Sequence, residues 1–99
     1  MQAISQIEIQ ASCIMTQENI AAYIQYETDR GSSANAIRRC KRFTTSLYEW
    51  LPEDKNITKE QLLAWRQNLK YIGYSADTEL NYVKGINRYL NYIGCSALR

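Results

Sequence analysis

The stretch SSANAIRRCKRFTTSLYEWLP, residues 32–52, predicts one long amphipathic helix. Its less polar side chains recur three or four positions apart, which is the spacing of a single buried helix face. A serine at position 32 or 33 is a suitable N-cap, and Pro52 ends the helix because it lacks an amide hydrogen and restricts the residue before it. The positions on the predicted buried face are Ile37, Cys40, Phe43, Leu47, Trp50 and Leu51.

Three further helices are predicted around this one. A hydroxyl side chain precedes each apolar run and a glycine follows it, as expected for an N-cap and a left-handed residue after the helix. Gln61 stands three residues after Thr58, which is the capping-box pattern. The core is predicted to include both tryptophans, Trp50 and Trp65. The pairs that bound the three helices are Thr16 with Gly31, Thr58 with Gly73, and Ser75 with Gly94.

Four helices with short connections predict a compact all-α domain over residues 16–94. An arm of residues 1–15 precedes it and a tail of residues 95–99 follows it. Apolar residues alternate with polar ones in the arm, which is typical of a short strand that needs a partner chain or a helix to lie on. A disordered leader is the alternative that the sequence leaves open. The alternating residues are Ile7, Ile9, Ala11 and Cys13.

Composition narrows the class of protein. With 99 residues, 45% apolar and 22% charged, the chain has the size and composition of one soluble globular domain. It has no run of about 18 apolar residues that could span a membrane. Its N-terminus also lacks the basic and apolar regions of a secretory signal. We therefore expect a cytoplasmic location and no membrane partner.

Three cysteines, Cys13, Cys40 and Cys95, are far apart and form no Cys-x-x-Cys pair. An odd number at such spacings predicts reduced intracellular thiols, with neither a disulfide nor a zinc site. Cys40 falls on the inner face of its helix and is expected to be inert. Cys95 falls in the tail, where it can be exposed.

Catalysis by this chain alone is not expected. It has no histidine, so the commonest general base is absent, and it has no phosphate-binding glycine loop. We expect no cofactor, no metal and no small-molecule substrate. A tyrosine nucleophile would lack the Arg/His cluster that stabilises charge on phosphate, so Tyr23, Tyr82 and Tyr89 are assigned to the core or its edge. Tyr71 and Tyr74 flank a glycine and are left open between the core, an interface and a contact with a sugar.

Four cations, Arg38, Arg39, Lys41 and Arg42, lie within five positions of a chain whose net charge is only +2. At about 100° per residue, Arg38 lies ~180° from Leu47, so the cations point away from the apolar face. They occupy the first two turns, where cations oppose the helix dipole at a cost of about 0.3–1 kcal/mol each. This placement favours an approaching anion such as phosphate over a merely solvated face.

The predicted fourth helix repeats this design. Its apolar residues cluster within about 80°, and its polar residues lie on the far side. Amide side chains beside Lys and Arg suit the base edges and phosphates of nucleic acid. Gly85, at the margin, would let a backbone approach closely. The polar residues are Asn81, Lys84, Arg88 and Asn91.

Residues 16–94 resemble the N-terminal core-binding domain of tyrosine recombinases, the phage-integrase type of site-specific recombinase. The resemblance lies in the order, the spacing and the N-caps of the four predicted helices. The span of the resemblance, residues 16–94, is about four-fifths of the chain. The four matching segments are NIAAYIQY (19–26), RGSSANAIRRCKRFTTSLYEWL (30–51), NITKEQLLAWRQNL (56–69) and GYSADTELNYVKGINRYLNYIG (73–94). The chain departs from the family at Ala36, where a threonine is usual, and at Cys40, where an aromatic residue is common.

The resemblance implies a SAM-like four-helix fold from a bacterial or phage-encoded protein that acts in DNA integration or recombination. It implies that the second and fourth helices clamp double-stranded DNA, with other recombinase protomers as partners on the DNA. Catalysis would belong to a separate domain that follows residue 99, with an Arg, a His-x-x-Arg motif and a nucleophilic Tyr. The residues expected to bind DNA are Ser33, Asn35, Arg38, Arg39, Arg42, Ser75, Thr78, Asn81, Lys84 and Arg88.

A small helical adaptor that binds another protein, without binding DNA, is the alternative function. Helical domains of this size serve both purposes. The net charge of +2 does not separate the two, because it is low for a DNA-binding domain. A modest charge does suit a module that binds tightly only when it is tethered to a second DNA-binding domain.

Overall fold

The computed structural model describes residues 13–98, and these form an all-α domain, as predicted. Four helices follow one another: α1 (Gln17–Asp29), α2 (Ala34–Trp50), α3 (Lys59–Tyr71) and α4 (Ala76–Tyr92). A 3₁₀ turn, Ser96–Leu98, comes after α4. The central helix is α4, which contacts the other three helices and the 3₁₀ turn.

The predicted helix starts are confirmed at all four helices. Thr16, Ser33, Thr58 and Ser75 are the N-caps, and each side-chain oxygen accepts a hydrogen bond from the amide three residues later. The reciprocal capping box forms at Thr16, where the Asn19 side chain accepts from the Thr16 amide at 3.1 Å. At Thr58 the structure contains the hydroxyl half of the box.

The helix ends also follow the local sequence. Gly31, Gly73 and Gly94 have φ between +82° and +102°, a conformation that side chains other than glycine rarely adopt. Pro52 lies just beyond α2, whose C-cap Leu51 is extended, as expected for a residue before proline.

The core lies between α4 and its neighbours and is rich in aromatic rings. Trp65 is 1% exposed and donates its indole N–H to the Ser46 hydroxyl at 3.0 Å. The prediction for Trp50 was wrong: this side chain is 37% exposed. Trp50 is the last residue of α2, where its side chain lines an open groove beside α3, so its position on the apolar face does not bury it. The other large side chains that are fully buried are Tyr23, Tyr89, Met15, Leu47, Leu69, Ile86 and Leu90.

The close packing of α2 on α4 depends on Gly85. A methyl group built on Gly85 would overlap the ring of Phe43, so only a residue without a side chain allows this approach. The Phe43 ring also packs against the Tyr82 ring, with 4.7 Å between the ring centroids. This contact holds the cationic part of α2 beside the polar face of α4.

The end of the N-terminal arm packs on the loop between α2 and α3. The Met15 amide donates to the Lys55 carbonyl at 2.9 Å, and the Ile57 amide donates to the Cys13 carbonyl at 2.7 Å. Cys13 and Met15 are buried while Ile14 is exposed, so the expected alternation holds over these three residues. The strand predicted for Ile7, Ile9 and Ala11 lies outside the described residues.

A disulfide joins Cys13 to Cys95, which corrects the prediction of reduced thiols. The two Cα atoms are 6.2 Å apart although the residues are separated by 82 positions. Cys95 is buried, at 8% exposure, and is not an exposed residue of a tail. Sequence spacing does not reveal this pair, because the fold brings the two cysteines together from opposite ends of the domain. Cys40 is the free, half-buried cysteine of residues 13–98.

We expect Gly85→Ala to destabilise the domain by about 1–3 kcal/mol, the usual cost of overpacking a close contact. Helix propensity alone predicts the opposite sign, because alanine is favoured over glycine by about 1 kcal/mol inside a helix. Urea unfolding measures the change. Asn91→Ala, at an exposed position of the same helix, is the control. A Gly85→Ala protein that is as stable as the wild type would contradict the packing described above.

Reduction of the Cys13–Cys95 disulfide is expected to lower the free energy of unfolding by about 2–4 kcal/mol, because the crosslink restricts the unfolded chain. Urea unfolding with and without a thiol reductant measures this difference. The double variant Cys13→Ser/Cys95→Ser should be insensitive to reductant, whereas Cys40→Ser should keep the wild-type response. Equal midpoints for the wild-type protein in the two conditions would rule out the disulfide.

Candidate nucleic-acid interface

The cations of α2 and the polar residues of α4 are exposed, as predicted. Arg38, Arg39, Lys41 and Arg42 point to solvent, and Leu47 on the opposite face is completely buried. On α4 the exposed residues include Asn81, Lys84 and Arg88, while Ile86 and Leu90 are buried on the core side. Both helices therefore separate charge from core in the expected way.

The two polar faces meet in one groove between α2 and α4, which we call the basic groove. Four of the predicted site residues line it: Arg39 from α2, and Asn81, Lys84 and Arg88 from α4. Its volume is about 660 Å³. Phe43 and Gly85, the residues of the close helix contact, also line it. The helix packing thus turns two separate sequence patterns into one surface.

Within residues 13–98 the cations of this region form no ion pairs. The salt bridges of that range join Arg30 to Glu27, and Arg66 and Lys70 to Glu79. Among residues 13–98, Glu27 is the one carboxylate that lines the basic groove. It is 2% exposed, lies 3.6 Å from Arg30 and accepts a hydrogen bond from the Ser32 hydroxyl at 3.0 Å. The exposed charge of the groove is therefore positive.

Several predicted site residues have structural roles at the helix starts. The Ser33 and Ser75 hydroxyls cap α2 and α4, and the Ser75 hydroxyl also donates to the Thr78 hydroxyl at 3.0 Å. The Asn35 side chain accepts a hydrogen bond from Arg38. These five residues lie outside the lining of the basic groove, at the N-terminal ends of the two helices.

A second groove, which we call the aromatic groove, was not predicted from the sequence. It lies between α2, α3 and the turn before α4, and its volume is about 650 Å³. Arg42 lines this groove instead of the basic groove, together with Lys41. The sequence signal nearest to this groove is the pair Tyr71 and Tyr74 on either side of Gly73, and Tyr74 lines the groove at 40% exposure. The other lining residues include Trp50, Tyr82, Asn68 and Ile72.

The buried tyrosines have the character of core residues. Burial, with a hydrogen bond to Tyr74, raises the pKa of Tyr82 to about 12. Burial likewise raises the pKa of Tyr23 and of Tyr89 above the ordinary tyrosine value. The Tyr89 hydroxyl donates to the Asn19 side chain at 2.6 Å, which ties α4 to the start of α1. All three phenols are therefore neutral at physiological pH.

No group of three or more His, Cys, Asp or Glu side chains that could hold a metal ion occurs among residues 13–98. None of the helices in that range is both long and apolar enough to cross a membrane.

Comparisons with protein families, with curated proteins and with solved structures find no match to this chain. The resemblance to tyrosine recombinases therefore stays a prediction, and the case for a function depends on the geometry of the two grooves.

Raised tyrosine pKa values predict a loss of stability at alkaline pH. The folded protein holds the Tyr82 proton up to a pKa of about 12, whereas an ordinary tyrosine has a value of 10.0. The contribution of Tyr82 to the free energy of unfolding is therefore complete below about pH 10, and it is lost as the pH rises towards 12. Tyrosinate absorbance should therefore appear later for the buried tyrosines than for the exposed ones. Tyr82→Phe should remove part of the tyrosinate absorbance that appears at the highest pH. Ionisation of all tyrosines at the same pH in the folded protein would contradict the raised pKa values.

Proposed function

We propose that this chain is a duplex-DNA-binding module of the kind found as the core-binding domain of tyrosine recombinases. The convergence of Arg39, Lys84 and Arg88 on one groove, without carboxylate partners among residues 13–98, carries the proposal. Duplex DNA presents one negative charge about every 1.7 Å along its axis, so cations from two helices meet several phosphates at once.

Each residue of the basic groove has a proposed role that follows from its side chain. Arg39 and Lys84 contact phosphates and supply salt-dependent affinity. Asn81 and Arg88 lie on the same face of α4, about two turns apart. They are the candidates for base edges, because their amide and guanidinium groups form paired hydrogen bonds with purines. Arg38, on the exposed side of α2, contacts the flanking backbone. Ser33 and Ser75 act through the helix starts that they cap.

The proposal assigns binding to this domain and catalysis elsewhere. A separate domain with the Arg, His-x-x-Arg and Tyr set would break and rejoin the DNA, and further protomers would assemble on the same duplex. A cytoplasmic location, in a bacterium or for a phage, is part of the proposal. The Cys13–Cys95 disulfide is the observation that weighs against it, because thiol buffers keep most cytosolic cysteines reduced.

A protein-binding adaptor is the second candidate, and one observation favours it. Apolar side chains are exposed near a groove of about 330 Å³ between α3 and α4, with Leu63 at 57% exposure. This groove is also lined by Leu62, Val83 and Leu98. It lies away from the unpaired cations of α2, so a partner bound there would not depend on them.

Charge reversal in the basic groove is expected to weaken duplex binding by about tenfold or more at low salt, because a phosphate contact becomes a repulsion. Lys84→Glu and Arg39→Glu are the test variants. Lys59→Glu is the matched control, since it changes the net charge equally at an exposed position of α3. Fluorescence anisotropy with a labelled duplex across a salt series measures the affinity.

The salt dependence gives a second readout of the same contacts. Three phosphate contacts predict a slope of about −3 for the logarithm of affinity against the logarithm of salt concentration, and the loss of one contact reduces its magnitude by about 1. If Lys84→Glu, Arg39→Glu and Lys59→Glu all bind like the wild-type protein, the basic groove is not a DNA site and the adaptor is favoured.

A further inference from the structure

We propose that the aromatic groove binds an unpaired nucleotide of single-stranded DNA, with the base stacked on Trp50 and Tyr74 and the phosphate held by Lys41 and Arg42. The choice of DNA as the ligand rests on the proposed function. The groove itself is made of other residues than the basic groove, so the two sites can be tested apart.

Two aromatic rings of this groove are partly exposed, and one of them, Tyr74, is held in place by another ring. Trp50 is 37% exposed and Tyr74 is 40% exposed. The Tyr74 ring packs against the buried Tyr82 ring, with 5.3 Å between the centroids. Trp50 is followed directly by Leu51, which is 3% exposed and anchors the end of α2 in the core. Base stacking requires exposed aromatic surface, and both rings provide it.

The cations at the rim provide the contact for phosphate. Lys41 and Arg42 line the groove, are exposed, and pair with no carboxylate among residues 13–98. Glu49 is the one acidic residue that the described part of the chain adds to the lining, so Lys41 and Arg42 make the charge of this lining positive. Asn68 adds an amide group that can bond to a base edge. Proteins that bind single-stranded nucleic acid combine cations for the backbone with aromatic side chains for the bases, and this groove contains both.

The two grooves lie next to each other along α2. Arg39 in the basic groove and Arg42 in the aromatic groove are three residues apart, which is close to one helical turn. The packed pair of Phe43 and Tyr82 separates them, since Phe43 lines the first groove and Tyr82 lines the second. A strand that leaves the duplex in the basic groove therefore meets the cations of the aromatic groove about one helical turn along α2.

Tryptophan fluorescence tests this site directly. The chain has two tryptophans, and Trp65 is 1% exposed, so Trp50 is the tryptophan on which a bound base can stack. We expect an oligothymidylate of about 12 nucleotides to quench Trp50 at low salt. Trp50→Ala should weaken its binding by about 5- to 150-fold, the fold-change that corresponds to one lost stacking contact. Trp50→Phe keeps a ring and should bind more tightly than Trp50→Ala.

Charge variants separate this proposal from the duplex site. Arg42→Glu should weaken binding of the single strand more than Lys84→Glu does, and Lys84→Glu should weaken binding of the duplex more than Arg42→Glu does. Circular dichroism confirms that each variant is folded. Absence of both quenching and single-strand affinity, with duplex binding intact, would overturn the aromatic site alone. Loss of duplex binding with intact quenching would overturn the proposed function of the basic groove alone.

Discussion

The contact between the Phe43 ring and the backbone of Gly85 is the constraint on which the rest of this structure depends. It sets how closely α2 approaches α4, because any side chain at position 85 would overlap the ring. With the helices at this distance, Arg39 and Lys84 line the same groove. The same ring packs against Tyr82 and so forms the boundary of the aromatic groove. One aromatic side chain and one missing side chain thus organise both candidate surfaces.

The fold was largely predictable because its signals are local. Each helix begins at a hydroxyl N-cap, and three of the four end at a glycine with positive φ, and such features depend on a few neighbouring residues. The contacts that were missed depend on residues that are distant in sequence. The Cys13–Cys95 disulfide spans 82 positions, and Trp50 is exposed because it lines an open groove between α2 and α3. Helical periodicity shows neither which distant cysteines meet nor which end of an apolar face stays uncovered.

The candidate site was predictable only in part, for the same reason. Periodicity placed the cations of α2 and α4 on faces away from the core, and those faces are exposed. It did not distinguish Arg39 from Arg42, which belong to different grooves. Nor did it show that acidic residues elsewhere are used locally: Glu79 pairs with Arg66 and Lys70, and Glu27 pairs with Arg30. This local pairing leaves the groove cations exposed in a chain whose net charge is only +2.

Mapping of the duplex-binding surface by NMR tests the central claim most directly, since it identifies the contacting residues without any substitution. A labelled protein is titrated with an unlabelled duplex, and the shift of every backbone amide is followed. The account predicts the largest shifts at Arg39 and from Asn81 to Arg88, with small shifts along the exposed side of α3. Shifts centred on Leu63 and its neighbours, or no shifts at low salt, would contradict it.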